Sequence, residues 1–165
     1  MGKWDDPVRG MKKVSSPRLV RGALVAGIYV ALTMLFAPVS FGPVQVRVSE
    51  ALTLLPWLWI EAVPGLFVGC LIANLMGGFG IIDVFFGSVA TLAAALLTCR
   101  MPNKYLAAVP PVVINALVVG GYLSVLLKLP LVPTMLYIGL GQIAACFGLG
   151  IPLLSLIERR FKDGS

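Results

Sequence analysis

Between residues 19 and 157 the chain is almost wholly apolar, yet Arg47, Glu50, Glu61, Asn74, Asp83, Asn115 and Gln142 lie inside that region. A charge carried to the middle of a bilayer costs about 2.5–3.5 kcal/mol on insertion scales, so polar groups placed there need partners or a task. Stretches free of Asp, Glu, Lys and Arg cover residues 22–46, 62–82, 84–99, 105–127 and 129–157. A helical span needs about 20 residues, within a range of about 17–25. Only 12% of the 165 residues are charged, against about 25% in soluble domains. The composition therefore leaves several spans and no room for a soluble domain.

The pattern predicts an all-α integral membrane protein with six transmembrane helices, over residues 19–37, 44–60, 62–76, 81–98, 106–127 and 132–157. Pro38 should end the first, and Gly77-Gly78 the third. The second is the least obvious, with Arg47 and Glu50 near its start. Residues 1–18 read as a cytoplasmic arm, 19–158 as a six-helix membrane domain and 159–165 as a basic cytoplasmic tail. The polar, basic start, with no small-residue cleavage pattern after the first apolar run, does not read as a cleavable signal.

The net charge of +6 could suggest nucleic acid, but its distribution points to topology. Arg9, Lys12, Lys13, Arg18, Arg21, Arg100, Lys104, Arg159, Arg160 and Lys162 fall on one side of the bilayer if the spans alternate, and only Arg47 and Lys128 fall on the other. The positive-inside rule then puts both termini in the cytoplasm. Cys70, Cys99 and Cys146 lie in or beside separate apolar segments, without Cys-x-x-Cys spacing and with no histidine in the chain. They read as buried reduced thiols, and neither a metal nor a cofactor is expected.

Two stripes of small residues recur every fourth position. Gly65, Gly69, Ala73 and Gly77 suit internal packing, because membrane helices gain by close backbone approach. Ala23, Gly27 and Ala31 suit either internal packing or a dock for another membrane subunit.

In the expected topology the polar set is asymmetric. Arg47 and Glu50, Asn74, Asp83, Tyr122 and Tyr137 sit near the outer ends of their helices. Gln142 lies about 7.5 Å deeper than Tyr137, and Asn115 is near mid-membrane. Each has a plain alternative: an Arg47–Glu50 pair on one helix face, Asp83 as a helix cap, Asn74 and Asn115 as interhelical contacts, the tyrosines as an interfacial belt. Their collection in the outer half looks instead like a pocket opening outward. Glu61, beside Trp57 and Trp59 at the inner end, reads as solvated.

No chemistry of its own is visible in the sequence. A Gly-x-x-x-x-Gly-Lys-Ser/Thr phosphate loop is absent, the lack of histidine removes a Ser-His-Asp triad, and Gly87-Ser88-Val89-Ala90 lacks the second glycine of a nucleophile elbow. Asp83 is the lone intramembrane aspartate, which excludes a two-aspartate membrane protease. Inverted repeats of the kind found in secondary transporters are not visible. The chain reads as a non-enzymatic bundle with an outward polar pocket and no engine.

That reading carries a family resemblance. Gln45-Val46-Arg47-Val48-Ser49-Glu50-Ala51-Leu52-Thr53-Leu54-Leu55-Pro56 resembles the signature of the QueT family, substrate-binding S components of energy-coupling factor (ECF) transporters. So do Pro64-Gly65-Leu66-Phe67-Val68-Gly69-Cys70-Leu71-Ile72-Ala73-Asn74-Leu75 and Ile82-Asp83-Val84-Phe85-Phe86-Gly87-Ser88. The resemblance implies capture of a queuosine precursor, the 7-deazaguanine preQ0 or preQ1, at the outer face of the cell membrane. It also implies assembly with a transmembrane coupling subunit and two cytoplasmic ATPases, through an Ala-x-x-x-Ala dock that Ala23, Gly27 and Ala31 would supply. Glu50 and Asp83 are the candidate acids for the guanine-like edge and an aminomethyl cation, with Asn74, Asn115 and Gln142 as amide partners. Arg47, Tyr122 and Tyr137 complete the candidate site. Residues 38–45 and 77–82 are the available lids. Competing readings are an S component for another vitamin or nucleobase, and a self-sufficient carrier or structural membrane protein.

Overall fold

A computed structural model describes residues 16–41, 46–77 and 80–163. Most of the expected arm, and residues 42–45 and 78–79 of the two expected lids, lie outside the described residues. Among those described there are helices and turns, and no strand.

Helix α1 is Ser16–Leu35. It stops two residues before the expected limit, because Pro38 has no N–H to donate to the Met34 carbonyl four residues back; a single turn, Ala37–Ser40, follows. Helix α2 is Ala62–Gly77. Helix α3 is Asp83–Thr98, opening on a π-helical turn, Asp83–Gly87. Helix α4 is Lys104–Leu126, and α5 is Leu131–Arg160 with a π-helical stretch at Ala144–Gly150. Three of these, Pro17–Leu35, Lys104–Leu126 and Leu131–Arg160, are long and apolar enough to cross a bilayer, while α2 and α3 are shorter apolar helices.

The second expected α-helix is corrected by the structure. Its place is taken by a ten-residue 3-10 helix, Val48–Trp57. At about 2.0 Å per residue it extends about 20 Å, where the same residues as α-helix would cover about 15 Å. Ser49 through Pro56 are all buried, and the segment touches all five long helices. It forms the axis of the bundle and faces no lipid with those eight residues.

Around that axis α1 packs on α2, α2 on α3, α3 on α4, and α4 on α5. The α1–α2 contact uses glycine: a Cβ on Gly69 would stand 2.9 Å from the Ala26 carbonyl oxygen and 3.0 Å from Tyr29 Cβ. Gly65, Gly69 and Ala73 are buried, so this stripe packs internally. Ala23, Gly27 and Ala31 are exposed, and a Cβ on Gly27 would meet nothing within 4 Å. Large apolar side chains such as Leu24, Leu75, Phe85, Leu117 and Leu136 point outward, as a lipid-facing surface requires.

One end of the bundle is closed by contacts between basic and acidic groups. Arg21 pairs with Glu61 at 3.2 Å and lies over the Trp59 ring. Lys104 reaches Glu158 at 3.4 Å and donates to Ser155 Oγ at 3.0 Å, and Trp57 Nε1 donates to the Met101 carbonyl at 3.0 Å. Glu61 is therefore paired rather than simply solvated. These contacts bring the starts of α1, α2 and α4 to the same end as the finish of α5. Lys128, in the α4–α5 turn, stands at the opposite end with a positive φ of 54°.

Candidate substrate site

The opposite end holds the other polar cluster, and it is buried. Arg47, Glu50 and Asp83 are the charged residues with buried side chains among the described residues. Three departures from α geometry converge on them. The 3-10 helix presents Arg47 at its N-cap and Glu50 in its first turn. The π turn of α3 begins at Asp83, and the π stretch of α5 follows directly after Gln142 and Ile143. Long 3-10 runs are uncommon, and π turns often stand at functional sites, because both re-aim side chains that a regular helix would direct elsewhere.

The bonding separates the two acids. Glu50, 1% exposed, accepts from Tyr29 Oη at 2.5 Å through Oε1 and from Asn115 Nδ2 at 3.2 Å through Oε2. Asp83 Oδ1 accepts from Tyr122 Oη, while its Oδ2 faces Arg47 Nη2 at 3.7 Å. Arg47 also donates through Nε to the Ser40 carbonyl at 3.5 Å and lies over the Phe41 ring, 5.3 Å from its centre. The Arg47–Glu50 pairing that their spacing allows is absent; Arg47 instead turns across the bundle to Asp83. Asp83 uses Oδ1 for Tyr122 and leaves Oδ2 without a hydrogen bond, so the side chain is turned to the cluster rather than to a helix cap. Asn74 Nδ2 donates to the Asp83 carbonyl at 3.2 Å, which ties α2 to α3.

Five side chains at this end keep buried polar atoms that make no hydrogen bond: Ser40 Oγ, Asn74 Oδ1 and Ser88 Oγ, with Arg47 Nη2 and Asp83 Oδ2, which face each other only as an ion pair at 3.7 Å. A buried polar atom without a partner loses about 1–3 kcal/mol of desolvation. Several such atoms gather in one place. A cavity of about 10 Å³ lies against Arg47, Glu50, Gly87, Thr91, Asn115, Val119 and Gln142. Gly87 makes that closeness possible, since a Cβ there would stand 2.7 Å from Asn74 Nδ2 and 3.5 Å from Asp83 Oδ1.

The structure thus brings together Arg47, Glu50, Asn74, Asp83, Asn115, Tyr122 and Gln142. It does not bring in Tyr137, which is 54% exposed; its position near a helix end suits the interfacial belt. Tyr29 and Gly87 belong to the cluster and were not singled out from sequence. A lone tyrosine in the interior of an apolar helix was the available signal for Tyr29.

Helices with exposed apolar flanks, enclosing one charged cluster at one end, define a multi-pass membrane protein with a polar site. The family model described as "QueT transporter" matches residues 19–159. The chain belongs to the QueT transporter family. It is similar to the protein named "Queuosine precursor transporter QueT" of Lactococcus lactis subsp. cremoris, 37% identical over 97 residues, 58% of this chain and 57% of that one. The alignment thus spans little more than half of that relative. No solved structure matches the chain.

Proposed function

We propose that the chain is the membrane-embedded S component of an ECF-type importer, capturing a queuosine precursor from the outer side for ATP-driven uptake by partner subunits. The observation that carries this reading is the buried cluster of Arg47, Glu50, Asn74 and Asp83 at one end of an otherwise apolar bundle, in which Arg47, Asn74 and Asp83 keep atoms without a hydrogen bond. A 7-deazaguanine offers complementary groups. Its N–H and amino group form a donor pair for a carboxylate, its O6 is an acceptor for an amide or guanidinium, and its flat ring suits contact with an aromatic face.

The end rich in basic residues is cytoplasmic by the positive-inside rule, so the cluster opens outward. At about 10 Å³ the cavity is far below the roughly 300 Å³ of a small-molecule pocket, so loading requires an opening movement. Phe41 is the favoured mobile cap. It stacks on Arg47 and lies against Gly77, where the two expected lids meet.

On α1 the binding and docking faces are opposite. Tyr29, bonded to Glu50, is two residues from both Gly27 and Ala31, about 200° around the helix. Ala23, Gly27 and Ala31 are free to meet the coupling subunit, which holds the two ATPases.

Thermal-shift titration of the purified protein with preQ0, preQ1, guanine and common vitamins tests the substrate. Stabilisation by a deazaguanine is the expected result. Stabilisation by another vitamin alone would replace the substrate, and uptake by the isolated chain in liposomes without ATPases would replace the mechanism.

A further inference from the structure

Glu50, Arg47 and Asp83 do not balance. Arg47 faces Asp83, whereas Glu50 is bonded to two neutral groups, Tyr29 and Asn115, and forms no ion pair with a described residue. The buried end therefore carries one negative charge in excess when both acids are ionised. An uncompensated buried charge is strongly unfavourable, and a nearby opposite charge relieves it. A carboxylate has about four acceptor sites on its two oxygens, so Glu50 retains acceptors after binding Tyr29 and Asn115. A cavity of about 10 Å³ lies beside it.

We infer that the site selects a ligand bearing one positive charge, and that Glu50 is the residue that determines this by serving as the counter-ion to the ligand's ammonium group. The inference rests on the substrate reading above and deepens it: of two deazaguanines with the same ring, the aminomethyl form is favoured over the neutral nitrile. Asp83, the other acid, is already opposite Arg47 and bonded to Tyr122, and it serves the part of the ligand that the two forms share. Tyr29 and Asn115 are positioning residues that hold the Glu50 carboxylate toward the cavity. On binding, the charges become two positive and two negative, and no proton need be taken up.

The test is calorimetric titration of the full chain in nanodiscs with both deazaguanines, using wild type, Glu50→Gln and Glu50→Asp. Wild type should bind the aminomethyl compound at least about 10-fold more tightly. Glu50→Gln should weaken it by about 10- to 100-fold, as expected for loss of a charge-assisted bond. The same variant should weaken the nitrile less than the aminomethyl compound, and its unfolding midpoint in detergent shows that it is folded. Glu50→Asp, which keeps the charge, should keep the preference.

Equal affinities in wild type, or equal losses for both compounds in Glu50→Gln, would overturn the inference while leaving the deazaguanine reading intact. If neither compound binds, the deazaguanine reading falls. The charge rule is then decided by the cationic, neutral and anionic vitamins thiamine, riboflavin and biotin, and a neutral or anionic ligand, or none at all, overturns it.

Discussion

Two polar regions occupy opposite ends of the bundle, and they are built on different physics. At the basic end, Arg21–Glu61 and Lys104–Glu158 pair at 3.2 and 3.4 Å, with Arg21 45% exposed. At the other end, Arg47 and Asp83 are almost fully buried at a looser 3.7 Å, with atoms left unbonded. Were the purpose of both regions to hold helices together, the buried one would have the tighter geometry, because desolvation makes an imperfect buried pair costly. The partly exposed pairs are complete as they stand, whereas the buried set keeps atoms without a hydrogen bond. Under the proposed function, that difference separates a fastening from a binding site.

The comparison breaks most readily at Arg47. Arg47→Met leaves Asp83 buried without its counter-charge and should destabilise the protein by about 3–5 kcal/mol, whereas Arg21→Met should cost at most about 1 kcal/mol. Unfolding midpoints in detergent check both, and similar losses would erase the distinction between the ends.

Next in size is Gly87→Ala. The added methyl meets Asn74 Nδ2 and should push that amide away from Asp83, lowering ligand affinity about 10-fold or more through a lost and an unmet hydrogen bond. Gly148→Ala, where a Cβ would meet nothing within 4 Å, is the matched control. Tyr29→Phe removes one of the two donors on Glu50 and should weaken binding by about 10-fold, with little change from Tyr137→Phe.

The smallest effect on binding is expected at the docking stripe. Gly27→Leu has open space around it and should leave ligand affinity within about 2-fold, since it adds no contact to the bundle. It should nonetheless abolish co-purification with the coupling subunit and ATP-driven uptake, because a leucine holds a partner helix away. A variant that unfolds or loses ligand while the complex still assembles would place the dock elsewhere.

The placement of the helices was legible in the sequence because runs of apolar residues bounded by proline, glycine and charge are long-range signals. The geometry of residues 48–57 was not. A segment buried on every side presents no polar face, so it has no period that distinguishes 3-10 from α. The members of the buried cluster were mostly legible, since an ionisable or amide group in an apolar stretch stands out; Asp83, Asn115 and Gln142 are examples. Their partners were not, because Arg47 could satisfy a near neighbour, Glu50, as readily as Asp83, which is remote in sequence. Tyr29 was hidden for a related reason. An aromatic ring is unremarked among leucines and valines until a carboxylate is found beside its hydroxyl. Tyr137 was overread because a tyrosine near a helix end looks the same from sequence whether it faces a site or lipid.

The central claim is that the buried polar end is the substrate site and the basic end is not. Glu50→Gln and Glu61→Gln change the same chemical group at the two ends, so the dissociation constant of the aminomethyl 7-deazaguanine for each variant tests it most directly. The account predicts a loss of about 10- to 100-fold for Glu50→Gln and no more than about 2-fold for Glu61→Gln, a partly exposed residue in a surface pair. Equal effects, or a larger loss at Glu61, would contradict it.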